Sequence, residues 1–250
     1  TNPAAPSPRG GHTACVVAGS LWVFGGYGGS GFQRRDFADV CRLDLETMRW
    51  VEVKVEGVLA PAPRCAHSAV DGGNGCMLIY GGWNSMEAFN DLWRFETGTM
   101  MWKKVEDGSF GPARWGHSAV SIAAVPHRQM LIFGGSAGNL EGEEDAGSDS
   151  DESRGGAAGG GKKGRKPATR RVAEASQGDF QNDVMLLDTG RWRWSDVEVE
   201  PEREGEAVLT PRPCTDAGMV FLPHKQVLLV FGGWCNFWLN DVHSLNVRSE

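Results

Sequence analysis

An aromatic residue followed by two glycines occurs four times in this 250-residue chain, as FGG at 24–26, YGG at 80–82, FGG at 133–135 and FGG at 231–233. Each triplet closes an apolar run (LWVF, MLIY, MLIF, LLVF) with the length and composition of a short buried strand. Upstream of three of them stands Arg-x-x-His: Arg9 with His12, Arg64 with His67, Arg114 with His117. The fourth repeat reads as Arg212 with Thr215 at the histidine position. Downstream, an Asp opens an alternating segment at 38–45, 90–97, 182–189 and 240–247. A tryptophan follows that Asp by 11 residues in three repeats, Asp39 to Trp50, Asp91 to Trp102 and Asp183 to Trp194. An apolar residue lies four past each Asp, at Leu43, Phe95, Leu187 and Leu245. Chance does not hold such a register.

The repeat predicts a unit of four short strands, and hence an all-β fold. A small sheet of this kind has two faces to cover, so copies must pack face to face around an axis. The glycine doublets (Gly25 and Gly26, Gly81 and Gly82, Gly134 and Gly135, Gly232 and Gly233) give the backbone freedom where the second strand ends. Trp50, Trp102 and Trp194 are placed to seal the seams between sheets. Burying a side chain of roughly 200 Å² at ~25 cal/mol per Å² favours packing by several kcal/mol before entropy is counted. The units run approximately over 9–57, 64–107, 114–200 and 212–250. Counting 11 residues from Asp241 passes Glu250, so the last unit is expected to be incomplete, with an apolar sheet face left open.

These intervals resemble the kelch repeat, with its Arg-x-Gly-His, Gly-Gly, Asp and Trp. The resemblance covers nearly the whole chain and implies a kelch-type β-propeller, commonly of five to seven blades, of which this chain would be a fragment with four repeats. It also implies a non-catalytic scaffold that binds a partner protein through variable loops. The stretch FGGWCNFWLNDVHSLNV at 231–247 is similar, more narrowly, to kelch units in flagellar outer-arm dynein heavy chains of algae and protists. That likeness implies a docking role in a motor tail. Ubiquitin-ligase substrate adaptors and small-GTPase effectors fit the four repeats as well. The resemblance extends in fold to galactose oxidase, whose copper chemistry needs converging tyrosines and histidines. Here the tyrosines are Tyr27 and Tyr80 alone, and Tyr80 fills the ordinary aromatic position before a glycine doublet. No H-E-x-x-H, catalytic-triad spacing or phosphate-cradling glycine loop occurs. No enzyme, cofactor, metal site or small-molecule substrate is therefore expected.

From Gly135 to Asp183 is 48 residues, against 8, 9 or 13 over the same interval elsewhere. The excess, 136–178, is poor in apolar residues and runs from an acidic stretch to a basic one, which predicts a disordered insert in the third repeat. Lengthening a loop this far costs only about 1 kcal/mol. Three uses compete: a solvated spacer, phosphorylation at Ser148, Ser150 and Ser153, and docking or nuclear import through 162–166.

If the first strands lie innermost, Arg9, Arg64, Arg114 and Arg212 would ring one mouth of the channel. They could hold an acidic peptide, or serve the fold of every blade alike. The histidines read as hydrogen-bonded core residues. Loops after the glycine doublets differ between repeats and are the better binding candidates: Arg34 and Arg35, Trp83 and Phe89, and Trp234, Phe237 and Trp238. The formal charge of −7 argues against a nucleic-acid partner, and no apolar run nears the length of a membrane span. Thr1 is followed by no charged-then-apolar leader. Six cysteines without a C-x-x-C pair read as reduced thiols in a chain with an ample core. The expected location is cytoplasmic, with flagellar, cytoskeletal or nuclear sites also open.

Overall fold

The computed structural model describes residues 4–106, 111–123, 127–137, 180–197 and 210–246. Four antiparallel sheets follow one another along the chain, and each is a meander whose strands pair in sequence order. Blade one comprises Thr13–Val17, Ser20–Phe24, Val40–Asp44 and Arg49–Val51. Blade two comprises Ser68–Gly73, Cys76–Tyr80, Leu92–Glu96 and Met101–Lys104. Blade three comprises Ser118–Ile122, Gln129–Phe133, Val184–Asp188 and Arg193–Asp196, and blade four Gly218–Leu222, Val227–Trp234 and Trp238–Asn246. A small added sheet joins Arg9–Gly10, Tyr27–Gly28 and Arg35–Asp36 beside blade one.

First strands of successive blades touch one another, which places them innermost around the axis. The second strands of blades one to three are largely apolar because both their faces are covered; Met77, Leu78, Ile79 and Tyr80 are all fully buried. The core is divided among seams. Between blades one and two, Val17, Trp22 and Phe24 meet Met77, Ile79, Phe95 and Trp102. Between two and three, Leu78, Tyr80 and Leu92 meet Met130, Ile132 and Leu187. Between three and four, Leu131, Phe133 and Val184 meet Leu228, Val230 and Leu245.

The outer-strand tryptophan of one blade seals the seam against the aromatic residue of the preceding blade's doublet. Trp102 lies 5.0 Å from Phe24 and Trp194 lies 4.7 Å from Tyr80, ring centre to ring centre. Trp50, in the outer strand of blade one, is half-buried. On the far side of blade four, Val220, Phe231 and Val242 are exposed at 49, 56 and 64 %. The equivalent aromatics Phe24, Tyr80 and Phe133 are buried, so the exposure of Phe231 reflects an uncovered sheet face.

All eight doublet glycines have positive φ, from 62° at Gly232 to 115° at Gly233. Gly82 shows why the residue cannot change. A Cβ there would stand 2.7 Å from the His67 Cβ and 2.8 Å from the Cys65 carbonyl oxygen, at φ +102°. Gly19, in a turn at φ +75°, has nothing within 4 Å of that position. Gly19→Ala should therefore cost only the left-handed backbone penalty of about 1 kcal/mol. Gly82→Ala adds a core overlap and should cost ~3 kcal/mol or more. Urea unfolding of the two variants measures the difference.

Candidate functional site

In blades one to three an arginine sits where the chain enters the first strand, and its guanidinium reaches the doublet and the Asp of its own blade. Arg64 Nη1 donates to the Gly81 carbonyl at 2.9 Å and to Asp91 Oδ1 at 2.5 Å, while Nη2 donates to Asp91 Oδ2 at 2.9 Å. Arg9 makes the same set with Gly25 and Asp39, and Arg114 with Gly134 and Asp183. Bidentate pairing of this kind fixes geometry as well as charge. The guanidinium groups of Arg9 and Arg64 also lie over the rings of Phe37 and Phe89, at 4.2 and 4.0 Å. Burial raises Asp91, but the hydrogen bonds and charge of Arg64 outweigh it and hold the carboxyl below its usual value. Asp39 is lowered by Arg9 against burial in the same way.

The side chains of Arg9, Arg64 and Arg114 are 4, 0 and 1 % exposed. Their terminal nitrogens bond within the blades, while the Nε of Arg114 is buried without a hydrogen-bond partner. Tyr80 is also occupied internally, its hydroxyl donating to the Pro112 carbonyl at 2.7 Å.

Arg212 requires a correction. It is exposed and does not occupy the arginine position of blade four. The backbone shows which residue does. Arg64 N–H donates to the Phe37 carbonyl and Arg114 N–H to that of Phe89, and the next member of this series is Cys214 N–H donating to Gln181. The carbonyls agree, since those of Arg64, Arg114 and Cys214 accept from Gly26, Gly82 and Gly135. Blade four thus has Cys214 in the arginine position and Ala217, not Thr215, in the histidine position. Backbone conformation supports the same alignment. The third residue of the motif is left-handed in every copy, at Gly11, Ala66, Gly116 and Asp216, with φ between 51° and 65°. Arg212 instead lies 5.8 Å from the ring of Phe237.

Two of the three motif histidines, His67 and His117, tie neighbouring blades, whereas His12 is exposed and not a core residue. His67 Nε2 shares a hydrogen bond of 2.7 Å with the Thr13 hydroxyl of blade one, and His117 Nε2 one of 2.8 Å with the Ser68 hydroxyl of blade two. Burial, first, and the nearby arginines push both rings down to about 3, so they stay neutral in the folded protein. At the third seam Ala217 has no ring, and the Ser118 hydroxyl donates to its backbone carbonyl.

The loops after the doublets gather on the face where the first strands begin. Backbone bridges join Gly10 to Tyr27, Cys65 to Trp83, Trp115 to Ser136 and Thr215 to Trp234. The start of the third-repeat insert needs correcting here, because Ser136 is buried and bridges Phe180 as well as Trp115. Residues 138–179, with Ser148, Ser150 and Ser153, lie outside the described residues. Trp83 is half-buried beside Trp115 and Trp234 beside Phe180; Phe89 lies under Arg64. Arg34 and Arg35 are exposed, and no carboxylate among the described residues lies within 4.0 Å of either. With Phe32, Phe37, Ser7 and Pro8 they line an open cleft of about 850 Å³. Phe32, which the loop's Gly-rich sequence hid, projects fully into solvent; Phe237 and Trp238 are 52 and 79 % exposed.

A profile described as the KLHDC2/KLHL20/DRC7 Kelch-repeats domain matches residues 1–142. The chain belongs to the kelch-repeat family. Among curated kelch relatives, the flagellar outer-arm dynein alpha chain of Chlamydomonas reinhardtii is 28 % identical over 98 % of this chain, which spans 5 % of that protein. A leucine-zipper-like transcriptional regulator 1 homolog of Drosophila melanogaster is 31 % identical over 98 % of the chain, here 21 % of the relative's length. Acyl-CoA-binding domain-containing protein 4 of Arabidopsis thaliana is 35 % identical over 52 %, corresponding to 18 % of its own length. The chain thus spans only a small part of the relatives it resembles.

Two outcomes follow for the kelch frame. Asp91→Asn leaves the Arg64 guanidinium buried without its counter-charge and should cost about 3 kcal/mol in urea unfolding. Acid should act through His67 and His117. Below about pH 6.5 the unfolded chain takes up protons that the buried rings refuse until about 3, so stability is full above that window and falls through it. Each ring contributes a slope of about 1.4 kcal/mol per pH unit, and His117→Gln should flatten the measured dependence by one ring's share.

Proposed function

We propose that this kelch module is a non-catalytic scaffold that holds a partner protein on its loop face. The observation that supports the reading is a division of labour. The clamp arginines of blades one to three are buried and bonded internally, whereas Phe32, Arg34, Arg35, Phe237 and Trp238 vary between blades and are exposed. A rigid frame presenting exposed aromatic and arginine side chains is suited to interface anchoring. Among the described residues no group of three or more His, Cys, Asp or Glu side chains could hold a metal, and no helix is long and apolar enough to cross a membrane.

A finer reading is docking within a flagellar dynein heavy chain. It is supported by the match to the dynein alpha chain, which extends over nearly all of this sequence, and by the likeness of 231–247. An adaptor role of the ubiquitin-ligase kind is the competing one, for which the family alone speaks.

The test is affinity purification with the intact protein and with Arg34→Ala/Arg35→Ala and Phe237→Ala/Trp238→Ala variants. Exposed substitutions of this kind should leave stability within about 0.5 kcal/mol of the parent. Recovery of the partner should fall at least tenfold for one pair, as expected of an anchor worth more than about 1.4 kcal/mol. Undiminished recovery with both pairs would place the interface elsewhere. Axonemal proteins among the recovered partners support the dynein reading, and ligase subunits the adaptor.

A further inference from the structure

Blade four departs from its siblings at two positions that face each other. Thr215 and Trp234 exchange both backbone hydrogen bonds, at 3.0 and 2.8 Å, as an antiparallel hydrogen-bonded pair. The residue before Thr215 and the residue after Trp234 therefore form the adjacent narrow pair, and both are cysteines: Cys214 and Cys235. Such narrow pairs hold their Cα atoms about 4.5 Å apart, within the range of roughly 4.4–6.8 Å that a disulfide spans. In the other blades the matched positions hold Arg9 and Gly28, Arg64 and Asn84, Arg114 and Ala137. Cysteine thus replaces the clamping arginine in the one repeat of the four where the facing residue is also cysteine. The two side chains belong to the same packed cluster at the third seam, and both thiols are free. Cys214 Sγ points toward the Gly232 carbonyl, the counterpart of the carbonyl that receives a guanidinium in the other three blades.

We propose that Cys214 and Cys235 are a redox-sensitive pair that a low-molecular-weight disulfide closes into a cross-strand bridge, fixing the loop that carries Phe237 and Trp238. The order of events follows from access. Cys235 is partly exposed and Cys214 is buried. The Cys235 thiolate attacks one sulfur of glutathione disulfide, the S–S bond breaks, and one glutathione thiolate leaves. Cys214, having lost its proton to solvent, then attacks the Cys235 sulfur and expels the second glutathione. The protein pair gives up two electrons and two protons, and one glutathione disulfide becomes two glutathione thiols. Burial, first, and the neighbouring Cys235 and Asp216 push the Cys214 thiol up to about 11, so closure is the slow step and accelerates as pH rises.

The experiment is incubation of the 250-residue protein with glutathione disulfide, alkylation of remaining thiols after unfolding, and peptide mapping by mass spectrometry. The expected result is a linked Cys214–Cys235 peptide, at least tenfold less alkylation of both residues, and reversal by dithiothreitol. Amide hydrogen exchange across 234–238 should slow at least tenfold in the oxidised form. Cys214→Ser should stop at a glutathione adduct on Cys235, and Cys235→Ser should leave Cys214 reduced. A glutathione adduct on Cys235 of the parent protein that persists while Cys214 stays alkylatable overturns the proposal, as does a bridge from either residue to another cysteine. None of these readouts uses a partner, so failure here leaves the scaffold reading untouched, and the converse holds.

Discussion

The kelch frame turns on a guanidinium held between a glycine carbonyl and a carboxylate. Arg64 joins three parts of blade two that sequence separates: the entry to the first strand, the end of the second and the start of the third. Removing a charge from water is costly, and the bidentate geometry with an aromatic ring beneath is what offsets that cost. The doublet glycines follow from the same demand. Their carbonyl can turn toward the guanidinium only in a backbone conformation that other residues resist, and their missing side chains make room for the next blade's arginine carbonyl and histidine. In blades one to three one interaction thus involves four positions: the arginine, the two glycines and the aspartate.

Where that clamp is missing, the local structure changes. In blades one to three the strands break at the doublet, and pairing resumes beyond it as separate short bridges. In blade four Val227–Trp234 runs straight through Gly232 and Gly233, with a register shift between Phe231 and Gly233, and pairs onward with the strand that starts at Trp238. The Cys214 position is packed with Leu239 and Cys235 in an apolar cluster. Asp241 has lost its arginine and lies 4.0 Å from His243. The loop between the paired strands is correspondingly tight and carries Phe237 and Trp238 outward.

The fold was readable because its signals are periodic: the doublets, the Asp-to-Trp interval and the apolar second strands all recur at fixed offsets. Arg212 was misread because an arginine happens to stand two residues before the position that the backbone bonds define, and only those bonds distinguish them. The left-handed third position tolerates Gly, Ala and Asp, so it gave no anchor to correct the count. Ser136 looked like the first residue of a polar insert, yet its backbone bridges two neighbours, a fact no side-chain pattern carries. The exposure of loop aromatics was equally hidden. Trp83 and Trp234 are sheltered by Trp115 and Phe180, partners distant in sequence, whereas Phe32 has no such neighbour.

The left-handed residues of the motif do more than turn the chain. Ala66 N–H donates to Gly11, Gly116 N–H to Ala66 and Asp216 N–H to Gly116, at 2.7–2.8 Å. Main chain is therefore strung to main chain across all three seams at the radius of the first strands. Side-chain packing can creep by rotamer changes, but these links have no rotamers to spend. A displacement of any one blade would be passed circumferentially through these peptide groups to its neighbours.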